Sequence, residues 1–232
     1  MTALKITESL KDVALFQGLS EEEMSRIAGS LYLRDFPANA MLITEGQPGE
    51  VVYVILSGTV KVFSVQPDGN EVIISIVGPG DTVGEMSLVD SVGRSASVVT
   101  LEPSTLLWMH RTAFQEALET MNAFARNLVY ILNSRLRLSN EQIQTLASLD
   151  VNGRVARQLL AFADKYGQCA ENGDEHIRLR LTQSDIADLV GASRKRVNQV
   201  IVAFKRQELI SIDDDYRITI HNRDKLARYC YQ

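Results

Sequence analysis

Hydrophobic positions change their spacing along this chain. Between Leu31 and Met109 they come in short β-branched runs, Val51–Leu56, Thr59–Phe63, Val72–Val77 and Ser97–Val99, and eight of the 14 glycines fall between Gly46 and Gly93 to separate them. Runs of Val and Ile bounded by glycine read as strands joined by tight turns. Pro67-Asp68-Gly69-Asn70 carries the residues a hairpin turn requires, and Gly78-Pro79-Gly80-Asp81 closes the next run. The pattern predicts a small antiparallel barrel or roll over residues 31–109. A helix at about 20–29 precedes it, with Ser20 as N-cap and Glu23 completing a capping box.

From Arg111 no Gly or Pro occurs until Gly153, and Leu118, Met121, Ala125, Leu128, Leu132, Leu136, Ser139, Ile143 and Leu146 recur three or four residues apart. That spacing predicts one long helix of roughly 55 Å. Its stripe is narrow, like the seam of a coiled coil, so the expectation is a parallel homodimer. The competing arrangement is a helix docked along its whole length on its own roll. Ser139 interrupts the seam and needs a polar partner, either its counterpart across a dimer, setting register, or a bound ligand.

Leu149-Asp150-Val151-Asn152-Gly153 reads as a hinge into a further domain, with a helix at 153–166, a turn from Gly167 to Gly173 and a strand over Ile177–Leu181. Thr182 and Asp185 form a second capping box, Gly191 breaks the helix, and Ser193 caps the next. Small Ala187 lets two helices cross closely, Gly191 takes the turn, and Val197, Val200 and Ile201 pack the second helix back, as in a helix-turn-helix. A plain helical hairpin has the same apolar pattern. The outer face argues for nucleic acid: Arg194, Lys195, Arg196, Asn198, Gln199, Lys205 and Arg206 offer cations and amides, and no acid occurs from Leu189 to Gln207. Leu209–Ile212, Asp213-Asp214-Asp215 and Tyr216–Ile220 add strand, turn and strand, a wing.

The 232 residues are 45% hydrophobic and 23% charged, enough apolar content for two cores. The net charge of −5 is uneven: residues 1–149 hold 10 Lys and Arg against 17 Asp and Glu, whereas residues 150–232 hold 14 against 12. A basic second part suits a polyanion. The longest apolar run, Val51–Leu56, is far too short to span a bilayer. The stretch Met1–Glu8 lacks the pattern of a secretory leader, and Cys169 and Cys230 lie outside metal-ligand spacing, so the expectation is a cytoplasmic protein without a metal.

A second chemical signal lies in the glycine-rich part. Gly84-Glu85-Met86-Ser87-Leu88 is followed by Arg94-Ser95-Ala96. Arg94 can hold a phosphate through its guanidinium fork, Ser95 can donate from hydroxyl and backbone, and Glu85 can accept from a ribose hydroxyl. An ion pair across a loop would use the same residues.

Together these motifs resemble the CRP/FNR family of bacterial transcription factors, in the family's order and over nearly the whole chain. Gly84–Leu88 with Arg94-Ser95-Ala96 is similar to its phosphate-binding cassette, the long helix to its dimerisation helix, Leu149–Ala156 to its hinge, and Val190–Arg194 to its recognition turn. The implied fold is α+β: an N-terminal antiparallel β-roll (1–110), a dimerisation helix (111–148) and a C-terminal winged helix-turn-helix (149–232). In the cyclic-AMP-binding branch, the resemblance implies that Gly84, Glu85, Met86, Ser87, Arg94 and Ser95 form the ligand cassette. Glu85 would contact the ribose, Arg94 and Ser95 the cyclic phosphate, and Ser139 and Asn140 the adenine, with Ser75 at a further pocket position. The expected DNA-contacting residues are Thr182, Gln183, Ser184, Ser193, Arg194, Lys195, Arg196, Asn198, Gln199 and Lys205. The expected partners are double-stranded palindromic DNA, a second copy of the chain and RNA polymerase.

Other classes fare worse. An iron–sulfur sensor needs a cysteine cluster, a haem sensor a histidine in the roll, and a metal-dependent cupin enzyme a His-rich centre, yet the histidines are His110, His176 and His221. No nucleophile–base motif is apparent, so no catalytic residue is expected. A nucleotide-binding scaffold without a DNA role leaves the cations from Arg194 to Arg206 unexplained. Cyclic GMP, cyclic di-GMP, another small anion or activity without ligand are the alternatives to cyclic AMP.

Overall fold

A computed structural model describes residues 10, 13–69 and 71–231. The Met1–Glu8 stretch and Asn70 of the expected hairpin turn lie outside the described residues. The chain divides into two compact units, residues 1–66 with 76–137 and residues 67–75 with 138–232.

The first unit opens with a 3-10 turn, Ala14–Phe16, and helix α1 (Glu21–Gly29), where Ser20 and Glu23 exchange both capping bonds as expected. Strands β1 (Tyr32–Phe36), β2 (Met41–Ile43), β3 (Val51–Ser57), β4 (Val60–Val65), β5 (Glu71–Val77), β6 (Thr82–Val83), β7 (Ser97–Thr100) and β8 (Ser104–His110) follow. They build two antiparallel sheets ordered β1-β8-β3-β6 and β2-β7-β4-β5. Alternation decides what each face buries. Ile55 and Leu106 turn toward a core shared with Ile43, Val60, Val83 and Val98, while Val52, Val54, Leu107 and Met109 turn the other way, toward the helices. Between β6 and β7 lies a single short helix, α2 (Met86–Val89).

The long helix is not continuous. It is divided into α3 (Arg111–Thr120) and α4 (Asn122–Ser148), with Met121 extended at φ −116° and ψ 98°. The break needs neither Gly nor Pro: the Thr120 hydroxyl donates to the Glu116 carbonyl, and Thr and Asn beside the break are residues whose side chains compete for backbone groups. Phe114, Ala117, Met121, Phe124 and Leu128 are all buried in the core of their own unit, with the Phe114 and Phe124 rings edge to face at 5.4 Å. The stripe therefore has two fates. Its first half, Leu118, Met121 and Leu128 included, packs on the roll rather than on a partner, and from Val129 onward Val129, Leu136, Ile143 and Leu146 are exposed. The 27 residues of α4 correspond to about 40 Å, shorter than a single helix from Arg111 would be.

In the second unit, helix α5 (Val151–Tyr166) begins earlier than expected, because Asp150 is its N-cap and accepts from the Gly153 amide at 2.8 Å. The supposed hinge thus narrows to Leu149-Asp150. Gly153 serves close packing: a Cβ there would come within 2.7 Å of the Tyr229 carbonyl oxygen. The expected turn after Gly167 is partly strand, since β9 (Gly167–Cys169) pairs with β10 (Glu175–Ile177). Only Ile177 of the expected strand is in the ladder. Leu179 and Leu181 are buried in alternation, but single bonds to Tyr166 and Tyr216 replace sheet pairing there. Helices α6 (Gln183–Leu189) and α7 (Arg194–Arg206), strands β11 (Ile210–Ile212) and β12 (Ile218–Ile220), and helix α8 (Arg223–Ala227) complete the unit. Its sheet has the order β11-β12-β10-β9, so the wing extends the small hairpin. No helix of the described residues is long and apolar enough to cross a membrane.

Candidate functional site

The loop between β6 and β7 is built around one buried cation. Arg94 is 7% exposed, and its guanidinium donates to the Gly84 carbonyl at 2.7 Å, the Ser87 hydroxyl at 3.0 Å and the Val51 carbonyl at 2.6 Å. These three acceptors are neutral. Burial holds the Arg94 pKa below the ordinary arginine value and Arg111 adds to the shift, against the pull of Tyr53, Glu85 and Glu50. The backbone of Arg94 is pinned as well, accepting from Gly46 and donating to Gln47, both at 2.9 Å. Gly84 adopts φ +89°, and a Cβ there would lie 2.6 Å from the Arg94 guanidinium, so both its conformation and its missing side chain are needed.

Glu85 does not pair with Arg94. Its carboxylate is 1% exposed and meets Arg135 of α4 at 2.5 Å, while the second guanidinium nitrogen of Arg135 donates to the Thr82 carbonyl. The other carboxylate oxygen, Oε2, and the Thr82 hydroxyl are buried without a hydrogen-bond partner. Such atoms normally find one. Ser87 is buried and turned to Arg94, so its hydroxyl supports the cation. Ser95 is exposed, with its hydroxyl 3.8 Å from the sulfur of half-exposed Met86. Ser75 is half-buried on β5, and Ser139 and Asn140 are exposed on α4; all three belong to the second unit.

Two residues of this site escaped the sequence reading. Arg135 was hidden one place before the seam residue Leu136. Arg111 donates to the Gly49 carbonyl at 2.7 Å, the Ser87 carbonyl at 2.8 Å and the Ser91 hydroxyl at 3.2 Å, tying the loop to the start of α3. Only a charged residue at the strand-to-helix boundary hinted at it.

The second site is a basic face. The Thr182 hydroxyl accepts from the Asp185 amide and donates to its carboxylate, so it is committed to capping α6, and Gln183 and Ser184 are half-buried beside it. Gly191 takes φ +59° at the turn, and Ser193 caps α7 by accepting from the Arg196 amide at 3.3 Å. Ala187, Val197, Val200, Ile201 and Phe204 are buried, which leaves Ser193, Arg194, Lys195, Arg196, Asn198, Gln199 and Lys205 exposed on the outer side. Arg196 donates to the Gln199 side-chain oxygen at 3.3 Å, so these two are presented together.

Comparison with known proteins agrees with both halves. The cyclic nucleotide-binding domain family matches residues 33–121, and the Crp-like helix-turn-helix domain family matches residues 153–229. A CRP-like cAMP-activated global transcriptional regulator of Mycobacterium tuberculosis is 34% identical over 221 residues, covering 95% of this chain and 98% of the relative. Among solved structures, FixK2 from Bradyrhizobium japonicum matches with a TM-score of 0.75 at 20% identity, covering 86% of this chain and 96% of that one. The c-di-GMP responsive global regulator CLP of Xanthomonas campestris matches at 0.67 and 22%, covering 88% and 100%. At these identities the two structures speak for the fold alone.

A roll with this cassette, joined to a winged helix-turn-helix, defines a cyclic-nucleotide-responsive DNA-binding regulator. The chain belongs to the CRP/FNR family of transcription regulators, which are not enzymes.

The contacts at Gly84 make a testable point. Gly84→Ala combines left-handed strain with displacement of the Arg94 guanidinium and is expected to destabilise the roll by about 1–3 kcal/mol. Urea unfolding followed through Trp108, the single tryptophan, measures it; an unchanged midpoint would show that the loop adjusts freely.

Proposed function

We propose that this protein is a homodimeric, cyclic-AMP-gated transcription regulator that reads a palindromic DNA site in a bacterial cytoplasm, with RNA polymerase as a further partner. The observation that carries the effector reading is the pair of unpartnered buried atoms, Glu85 Oε2 and Thr82 Oγ1, in the same cassette as a cation satisfied only by neutral acceptors. A cyclic nucleotide supplies a phosphate anion and a ribose hydroxyl donor. Arg94 and Ser95 would hold the phosphate, with Ser95 freed from the weak sulfur contact. Glu85 Oε2 would accept from the ribose while Arg135 keeps the other oxygen. Gly84 and Met86 would line the cassette, with Ser87 holding Arg94, Ser139 and Asn140 would meet the base, and Ser75 would serve as a further pocket residue.

The name of the Mycobacterium relative favours cyclic AMP as the effector. Calorimetry with cyclic AMP, cyclic GMP and cyclic di-GMP is the direct test. Cyclic AMP is expected to bind tightest, and Arg94→Ala to weaken it by ~2 kcal/mol or more, because the phosphate then loses its charged fork. No binding of cyclic AMP, or equal affinity in the variant, overturns the reading.

Val129, Leu132, Leu136, Ser139, Ile143 and Leu146 follow a three–four spacing along α4, and Val129, Leu136, Ile143 and Leu146 are exposed apolar residues. This supports a parallel pair of helices as the dimer seam. Leu136→Glu with Ile143→Glu would place four charges in that seam and is expected to give monomers with weak DNA binding. Sedimentation of the unaltered protein as a monomer at micromolar concentration would contradict it.

In a dimer the two α7 helices would enter successive major grooves about 34 Å apart. Arg194 would take a guanine through its fork. Lys195 and Gln199 stand where the enteric pattern of the family, Ser-Arg-Glu-Thr-Val-Gly-Arg, has an acid and a second arginine. Cytosine readout by a carboxylate is therefore lost, and Gln199 suits adenine. Ser193, Arg196 and Asn198, with Thr182, Gln183 and Ser184, would flank these contacts. Arg194→Ala is expected to cost about 1–3 kcal/mol and to relax selection at one guanine per half-site, whereas Lys205→Ala weakens all sequences alike and lowers the salt slope by about one. Selection from random DNA decides this: recovery of the unaltered enteric consensus would refute the substitution argument.

A further inference from the structure

Helix α6 ends in carbonyls that the helix itself leaves unpaired. Backbone amides take two of the last ones, Val190 donating to Ile186 and Ala192 to Ala187, both at 3.0 Å. The carbonyls of Leu189, Val190 and Gly191 are taken by side chains from other helices. The Gln142 amide of α4 donates to Leu189 at 3.3 Å, and Arg154 of α5 donates to Val190 at 2.8 Å and Gly191 at 3.3 Å. Arg154 also places a cation at the negative end of the α6 dipole. Gly191 has φ +59°, and a Cβ on it would touch Leu146 of α4 at 3.4 Å. Gln142 and Leu146 are four residues apart, hence on one face of α4, and Gln142 ties that face to the turn.

Ser193, the cap that starts α7, is two residues beyond Gly191, so whatever holds these carbonyls also sets the direction in which α7 departs. Arg154 belongs to the same helical domain as the turn. Gln142 comes from the long helix, one turn beyond Ser139-Asn140 and immediately before the exposed seam residue Ile143.

We propose that Gln142 is a positioning residue for DNA reading: its side-chain amide holds the Leu189 carbonyl and fixes the departure angle of α7 from α4. The inference rests on the DNA-reading role proposed above and adds a residue that touches no DNA. A movement of this end of α4 is then passed to the reading helix through that hydrogen bond.

The test uses the full chain, with cyclic AMP saturating, and a palindrome recovered by selection. Affinity is compared for that site and for the same site with its half-site guanines replaced. Gln142→Ala removes the donor, Gln142→Glu sets a carboxylate against the carbonyl, and Gln142→Lys keeps a donor of sufficient reach. The first two are expected to lower discrimination by about fivefold, the factor that one hydrogen bond of ordinary net strength carries. Gln142→Lys retains it, and all three keep the salt slope of the unaltered protein and stay folded at the assay temperature, which a loss of phosphate contact or of fold would change. Undiminished discrimination in both Gln142→Ala and Gln142→Glu, or an equal loss in Gln142→Lys, overturns the inference alone. Absence of discrimination by the unaltered protein overturns the DNA-reading role and this inference with it.

Discussion

The constraint on which the effector half of this protein depends is the burial of Arg94 without a carboxylate among its hydrogen-bond acceptors. A guanidinium shielded from water is costly unless its donors are all engaged. Here the engagement comes from the carbonyls of Gly84 and Val51 and the hydroxyl of Ser87, which tie the Gly84–Ser87 loop and strand β3 to one side chain. That accounts for the left-handed glycine at 84, for the buried serine at 87, and for Arg111 bracing the same loop from outside. Glu85, one residue from Gly84, is held apart by Arg135 and keeps one oxygen unmatched. Two opposite charges are thus buried in one loop without a direct hydrogen bond between them, an arrangement suited to a ligand carrying both an anion and a hydroxyl donor.

Helix α4 takes part in more than the loop. Through Phe124 and Leu128 it belongs to the core beneath the roll, and through Arg135 it reaches the cassette. Past Leu138 the same helix presents Ser139, Asn140 and exposed apolar residues on its surface, and its Gln142 bonds to the turn of the helix-turn-helix. The division at Met121 changes the direction of the chain between α3 and α4, while Phe114 and Phe124 keep the two helices in one core.

The DNA-reading half has a different economy. Its core is formed by apolar faces of α5, α6 and α7 with Ile210, Ile218 and Ile220 of the wing, and every cation on the outer side of α7 is left in water. Exposed cations lose little on folding, so the surface can be dedicated to a polyanion without weakening the domain. The capping hydroxyls of Thr182 and Ser193 set where each helix begins, and Gly191 sets the angle between them.

The sequence by itself determined most of the elements, because their signals are local. Ser20 with Glu23 and Thr182 with Asp185 announced helix starts through bonds spanning three residues, and alternation of Val and Ile announced the strands. The Gly84–Ala96 and Gly191–Arg206 motifs were legible for the same reason. What the tertiary structure decided were matters of partnership. Whether Leu128 faces its own roll or another copy, and whether Glu85 pairs with Arg94 or Arg135, depends on residues far away along the chain, 50 positions in the case of Arg135. The break at Met121, the narrowing of the hinge by the Asp150 cap and the unpaired run at Leu179 to Leu181 follow from packing that periodicity does not encode. Hydrophobic period reports that a face is buried, not against what, since burial is non-directional, and only the folded chain supplies the opposing surface.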